Sequence, residues 1–231
     1  MSCYISIDLR KNARFDGYFF YFYPMLIDAE HIKKALAQNL PGEAAHRKML
    51  PLNRELKAGE TEQSKIKHSS VLLLVFIENN ELNMLLIKRP EHMKHHAGQI
   101  ALPGGRIEKG ETALETALRE TEEEIGVSSE QIQILGSLSE LYVQVSRFQI
   151  RPFVGWLAKK PELVINKNEV EKTISFPFIK LKDTIDEVEI KTISGELKVP
   201  CIQFEDEIIW GATAMILYEF YETLTRFINK Q

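Results

Sequence analysis

The chain has 231 residues, 44% of them hydrophobic, which is enough to bury one sizeable core. Its formal net charge of −4 offers no electrostatic case for binding nucleic acid or an anionic membrane, and its longest apolar run, residues 71–77, is too short to span a bilayer. Only Cys3 and Cys201 are present, so no disulfide framework is implied and a reducing cytoplasm suits the chain.

Residues 1–24 differ from the rest, with an aromatic cluster, Tyr18-Phe19-Phe20-Tyr21-Phe22-Tyr23, after Arg10, Lys11 and Arg14. A basic start before an apolar stretch is the outline of a secretory signal, but Pro24 interrupts it and no A-x-A site follows. Met25 is read instead as the natural start, an expectation that an intact mass beginning at Met1 or Ser2 would sink. Residues 27–40 read as a helix ended by Pro41-Gly42, and residues 46–63 as a polar arm. Together they make an N-terminal region of residues 25–65. Strands are expected over 69–77 and 82–88, joined at Asn79-Asn80 as a tight hairpin. A helix should run from 112 to 125, with Thr112 and Glu115 as its capping box and Gly126 as its stop. Further strands are expected over 132–139 and 148–157, a hairpin over 191–198 and a long helix over 210–228. The Trp210, Tyr218 and Tyr221 face of that last helix serves as core or, less commonly, as a homodimer interface. Strands and helices mix without strict alternation, so residues 66–231 are expected to form one α+β domain.

The 112–125 helix carries the chemistry. At about 100° per residue, Leu114, Ala117, Leu118, Thr121 and Ile125 form one apolar stripe. Glu120, Glu123 and Glu124 gather along its edge, partly desolvated, while Glu111, Glu115 and Glu122 fall on the solvated side. Three crowded carboxylates raise one another's pKa. Arg119 can pair with Glu115 or Glu123, but one cation does not offset three anions. A hard divalent cation does, and magnesium with one or two carboxylates and phosphate oxygens is what a pyrophosphate-cleaving site needs. The plain alternative is a surface helix with an acidic face.

Residues 105–127 read GRIEKGETALETALRETEEEIGV. Gly105, Glu111, Arg119, Glu120, Glu123, Glu124, Gly126 and Val127 fit the pattern G-x5-E-x7-R-E-U-x-E-E-x-G-U, with Thr121 a soft substitution at the first aliphatic position. This stretch resembles the Nudix box. The resemblance implies an α/β/α sandwich with a mixed sheet and metal-dependent hydrolysis of a nucleoside diphosphate linked to another group, using Mg2+ or Mn2+. It implies Glu120 and Glu124 as main metal ligands and the Gly104 carbonyl as a further one. Glu123 is a ligand or the base that activates water, Arg119 orients the carboxylates, and Glu111 is structural, pairing with the arginine or fixing the loop. The base can lie outside the box, with Glu140 as a weaker alternative.

The preceding segment, residues 85–105, reads LLIKRPEHMKHHAGQIALPGG. Lys88, Arg89, Lys94, His95 and His96 make it a basic cluster in an acidic protein, suited to anions or simply to solvent. It resembles the extra motif of the coenzyme A pyrophosphatase branch of Nudix enzymes at Leu85, Leu86, Arg89, His96, Gly98, Gln99, Pro103, Gly104 and Gly105. It departs from that motif at Ile87, Pro90, Met93, Lys94 and Leu102. The segments FQIRPFVG (148–155) and IWGATA (209–214) are similar to the same branch. The implied substrate is a coenzyme A-class nucleotide, with Arg89, Lys94, His96, Gly98 and Gly105 as candidate binding residues. ADP-ribose, a dinucleotide or an NTP is the alternative substrate, and a non-catalytic binding module is the alternative class.

Overall fold

The computed structural model describes residues 27–51, 54–59, 64–93, 96–192 and 195–230. The aromatic segment 1–24, and the expectation about Met25, lie outside the described residues. Helix α1 (Ala29–Leu36) starts at Asp28, whose carboxylate accepts the His31 amide at 2.9 Å. It stops four residues earlier than the sequence suggests. Residues 37–39 are exposed, so no packing sustains another turn, and Pro41 disfavours helical backbone just before it. A short α2 (Glu43–His46) follows.

Strands β1 (Lys67–Glu78) and β2 (Glu81–Lys88) form a hairpin. Its turn residues Asn79 and Asn80 have φ of 52° and 61°, the left-handed pair that matches the twist of the flanking strands. Next come β3 (Ile100–Ala101), β4 (Gly104–Arg106) and α3 (Ala113–Ile125). These precede β5 (Gln133–Ser137), β6 (Leu141–Val143), β7 (Phe148–Trp156) and β8 (Lys172–Pro177). All eight strands belong to one mixed sheet in the order β3-β2-β1-β7-β5, with β4 also on β1, β6 on β7 and β8 on β2. The β1–β7 pair is parallel. The last part of the chain adds β9 (Ile185–Thr192), β10 (Gly195–Phe204) and β11 (Glu207–Trp210), a separate antiparallel sheet, and then α4 (Gly211–Ile228). The expected 191–198 hairpin is thus the end of two longer strands, and its residues 193–194 lie outside the described ones.

Strand alternation sorts the core into two layers. Leu72, Leu74, Phe76, Leu85 and Ile87 face Ala117 and Ile125 of α3. Leu73, Val75, Met84 and Leu86 face Ile32 and Leu36 of α1 and Leu217, Phe220 and Leu224 of α4. Because β1 and β2 are covered on both sides, they read as continuous apolar runs, not as alternating ones. The result is an α+β fold in which a mixed sheet lies between helices. Tyr218 and Tyr221 are half-buried, with Tyr221 against Phe178 at 5.4 Å and Lys48 over the Tyr218 ring. His46 Nε2 lies 2.8 Å from Glu219 Oε2, both side chains being buried, and Glu219 also accepts the amides of Gly42 and Ser139. This network fastens α2 to α4 and to the loop after β5. Among the described residues, no helix is long and apolar enough to cross a membrane.

Candidate active site

Helix α3 is built from local signals. Thr112 accepts the Glu115 amide while Glu115 accepts the Thr112 amide at 2.8 Å, so the capping box forms. Gly126 ends the helix in the left-handed region, φ 74°. Ala117, Thr121 and Ile125 are buried, Leu114 and Leu118 half-buried. Thr121 tolerates burial because its hydroxyl donates to the Ala117 carbonyl at 2.7 Å.

The helix lies across Gly104 and Gly105 of β4. Glu124 is 1% exposed, and its Oε2 accepts the Gly104 amide at 3.1 Å. A Cβ on Gly104, at φ 152°, would meet the backbone of β1 and the Val71 Cα at 2.6 Å. A Cβ on Gly105 would run into the Glu120 carboxylate. Gly104 therefore requires glycine, because the β1 backbone closes in on it, whereas at Gly105 a Cβ would have to displace the end of the Glu120 side chain.

Carboxylate oxygens of Glu120, Glu124 and Glu169 lie within 4.8 Å of one another. Glu169 comes from the loop before β8, which is tied to the end of α3. Val164 donates to the Ile125 carbonyl at 2.9 Å and Asn166 to the Glu124 carbonyl at 3.0 Å. Asn166 then accepts the Val170 amide at 2.8 Å, and Glu171 donates to the Lys88 carbonyl at 2.8 Å. The loop thus bridges the helix end and β2, and it delivers Glu169 to the box carboxylates. Nothing in the local sequence marks Glu169 out from Glu162 or Glu171; its role is visible only in three dimensions.

Glu123 is not part of this group. Its side chain is 54% exposed and accepts Arg119 Nη1 at 3.0 Å. Arg119 also grips Glu111 with two bonds, Nε at 2.7 Å and Nη2 at 3.1 Å, and meets Glu120 at 2.9 Å. Helix angles put Glu111 on the solvated side, but it precedes the helix, so those angles do not apply to it. It is half-buried under Arg119 and also accepts the Thr116 hydroxyl at 2.8 Å. Arg119 pairs with Glu123 and not with Glu115, which is occupied by the cap. Glu140 sits elsewhere, bound to Arg151 at 3.2 Å and to Gln149.

The electrostatics divide the carboxylates. Burial pushes Glu124 up to about 8, against the opposing Gly104 amide and Arg89, with Glu120 and Glu169 adding to the rise. Glu120 is also raised, chiefly by burial, with Arg119 opposing. Glu111 is held down to about 2 by the Arg119 hydrogen bonds and by Thr116. A group of oxygen donors, one buried and reluctant to ionise, is what a hard divalent cation relieves, so the residues present fit Mg2+ or Mn2+.

Of the upstream candidates, Arg89 reaches the group: its Nη1 lies 3.6 Å from Glu124 Oε1. Lys88 points to the other face, where it pairs with Glu207 at 3.1 Å. His96, with φ 57°, bonds Gln99 at 2.8 Å and shapes the loop, and Gly98, with φ 66°, packs on the Glu91 carboxylate. Lys94 and His95 lie outside the described residues.

A family model described as "NUDIX domain" matches residues 66–193. Nudix hydrolase 3 of Caenorhabditis elegans is 38% identical over 115 residues, 48% of this chain and 48% of that protein, so the match spans about half the length of that relative. A Nudix hydrolase named NudL from Pectobacterium atrosepticum is 30% identical over 163 residues, 66% of this chain and 81% of that protein. The solved MutT/nudix family protein from Enterococcus faecalis has a TM-score of 0.49 at 18% identity, over 87% of this chain and 75% of that one.

Proposed function

The chain belongs to the Nudix family of hydrolases, and from that premise we propose that it cleaves the diphosphate of coenzyme A or its derivatives, giving adenosine 3′,5′-bisphosphate and 4′-phosphopantetheine or its acyl form. The observation that carries the reaction class is the meeting of Glu120, Glu124 and Glu169 over the Gly104–Gly105 strand. A bound Mg2+ or Mn2+ would neutralise the phosphoryl oxygens and acidify the attacking water. Glu120, Glu124 and the Gly104 carbonyl hold it in this reading. Arg119 keeps Glu120 aimed inward and draws Glu123 outward, so Glu169 takes the part that the box pattern suggests for Glu123, as third ligand or as base. The water oxygen bonds to one phosphorus, its proton passes to that base, and the bridging P–O bond breaks with the other phosphate as leaving group.

The coenzyme A assignment rests on residues 85–105. Two departures from the branch motif, Ile87 and Leu102, are core positions, 0% and 4% exposed, and leave phosphate contacts untouched. Pro90 is buried, and its carbonyl accepts the Met93 amide at 3.3 Å, a turn that needs no serine hydroxyl. Lys94 retains a positive charge for a phosphate, without the bidentate fork of arginine. His96 and Gly98 belong to the loop that receives the nucleotide in this reading, and Lys94 precedes them in the sequence. The cytoplasm is the compartment that suits a buried free Cys201.

Mass spectrometry over coenzyme A, its acyl esters, ADP-ribose, a dinucleotide and an NTP, with Mg2+ and with Mn2+, tests the substrate. Faster turnover of any of the last three moves the assignment to that class. Glu124→Gln tests the site, with an expected loss of at least roughly a hundredfold in kcat. Near-normal turnover would count decisively against it.

A further inference from the structure

The two arginines at the carboxylate group are held very differently. Arg119 is saturated by Glu111, Glu120 and Glu123 and has nowhere else to go. Arg89 has a backbone pinned by its amide to the Gln99 carbonyl at 3.0 Å. Among the described residues its guanidinium makes one ion pair, with Glu124 Oε1 at 3.6 Å, too long for a hydrogen bond. Its Nε is buried and has no hydrogen-bond partner among the described residues. The Glu124 carboxylate is unevenly held as well, since Oε2 takes the Gly104 amide while Oε1 lies 3.6 Å from the Arg89 guanidinium. A buried donor without an acceptor, at the edge of a site for a charged phosphate ester, offers a hydrogen bond that substrate can accept.

We propose that Arg89 is exchanged between two partners: it is the counter-ion of Glu124 in the metal-free protein, and it becomes a ligand of a non-bridging phosphate oxygen of the diphosphate once a divalent cation has taken Glu124 Oε1. The inference rests on the reading of Glu120, Glu124 and Glu169 as the metal-holding group. Its consequence runs against the usual expectation for a binding-site mutation. Removing Arg89 removes a cation that competes for Glu124, so the metal alone binds tighter while the diphosphate binds weaker. One unit charge at ~6 Å from a divalent ion corresponds to about a tenfold change in metal affinity even at the dielectric of water, so about tenfold is the smallest change expected at this buried site.

The test is titration of Mn2+ into the metal-free 231-residue chain at pH 8.5, where Glu124 is mostly ionised, followed by the electron paramagnetic resonance of free Mn2+, for wild type, Arg89→Gln and Arg89→Lys. Circular dichroism establishes that each variant is folded. Arg89→Gln should bind Mn2+ at least about tenfold more tightly than wild type, whereas Arg89→Lys, which keeps the charge, should stay within about threefold of it. With Mn2+ saturating, both variants should bind methylenediphosphonate, a non-hydrolysable diphosphate, at least tenfold more weakly, because neither has the planar fork. Equal or weaker Mn2+ binding by Arg89→Gln overturns the exchange, as does unchanged diphosphonate binding. If Arg89→Gln does not fold, Arg89→Lys decides on the diphosphonate measurement. Absence of any Mn2+ binding by the wild type would instead overturn the underlying metal-site reading.

Discussion

Glu124→Gln should stabilise the metal-free protein while destroying the site, and the effect should depend on pH in one direction. Glu124 is 1% exposed, and burial raises its pKa from an ordinary 4.5 to about 8. The folded state therefore holds the proton to higher pH than the unfolded chain does. The strain of a buried charge is absent below about pH 4.5, grows as pH rises towards 8, and is complete above that. At ~1.36 kcal/mol per pH unit the gap amounts to on the order of 4–5 kcal/mol of lost stability for the ionised wild type. Glutamine keeps an acceptor for the Gly104 amide but loses the attraction of Arg89, so about half of this, ~2–3 kcal/mol, should return as stability. For a domain of this size that is roughly 5–10 °C in Tm. The assay is calorimetry in EDTA at pH 5.5 and at pH 9, then at pH 9 with saturating Mg2+. We expect a small Tm advantage for Glu124→Gln at pH 5.5, one pH unit into the window that opens at 4.5, and a clearly larger one at pH 9. With Mg2+ at about a hundred times its Kd, the wild type should gain ~2.7 kcal/mol and the variant much less. A wild type as stable as the variant at pH 9 in EDTA, or a gap that is the same at both pH values, would refute the reasoning.

Glu169→Gln should lower kcat by roughly a hundredfold and weaken Mn2+ binding, while Glu140→Gln should leave both near wild type; steady-state kinetics and metal titration on the two variants separate them. Gly105→Ala forces the Glu120 carboxylate aside without touching a ligand, so metal affinity should fall about tenfold with the fold intact, and a variant with wild-type affinity would count against the close contact between Gly105 and Glu120. His46→Ala leaves Glu219 buried with only backbone partners and should reduce stability by ~2–4 kcal/mol in urea unfolding, with kcat per folded molecule unchanged.

Much of the box is local and is legible along the chain. The Thr112–Glu115 cap, the Gly126 stop and the one-turn spacing of Glu120 and Glu124 depend on contacts within one helical turn. Two glycines before the helix signal close approach, although what approaches Gly105 is a carboxylate, a fact that only packing shows. The Asn79-Asn80 turn is legible for the same local reason. The length of α1 is not, because helices so short persist only where tertiary cover exists.

By itself, then, the sequence determined the box helix, its cap and its stop, and the placing of Glu120 and Glu124 one turn apart, all consequences of short-range geometry. It also set Glu123 on the same buried edge, where the structure does not keep it. Which third carboxylate joins Glu120 and Glu124 was decided only by the tertiary structure. Arg119, satisfied on Glu111, pulls Glu123 towards solvent, and a loop 45 positions beyond Glu124, tied to the carbonyls at the end of α3, brings Glu169 in. The same holds for Arg89, the residue after β2, whose guanidinium comes within 3.6 Å of Glu124 although the two stand 35 positions apart in the chain. No spacing in the chain encodes such meetings, since they depend on how the sheet and helix are stacked.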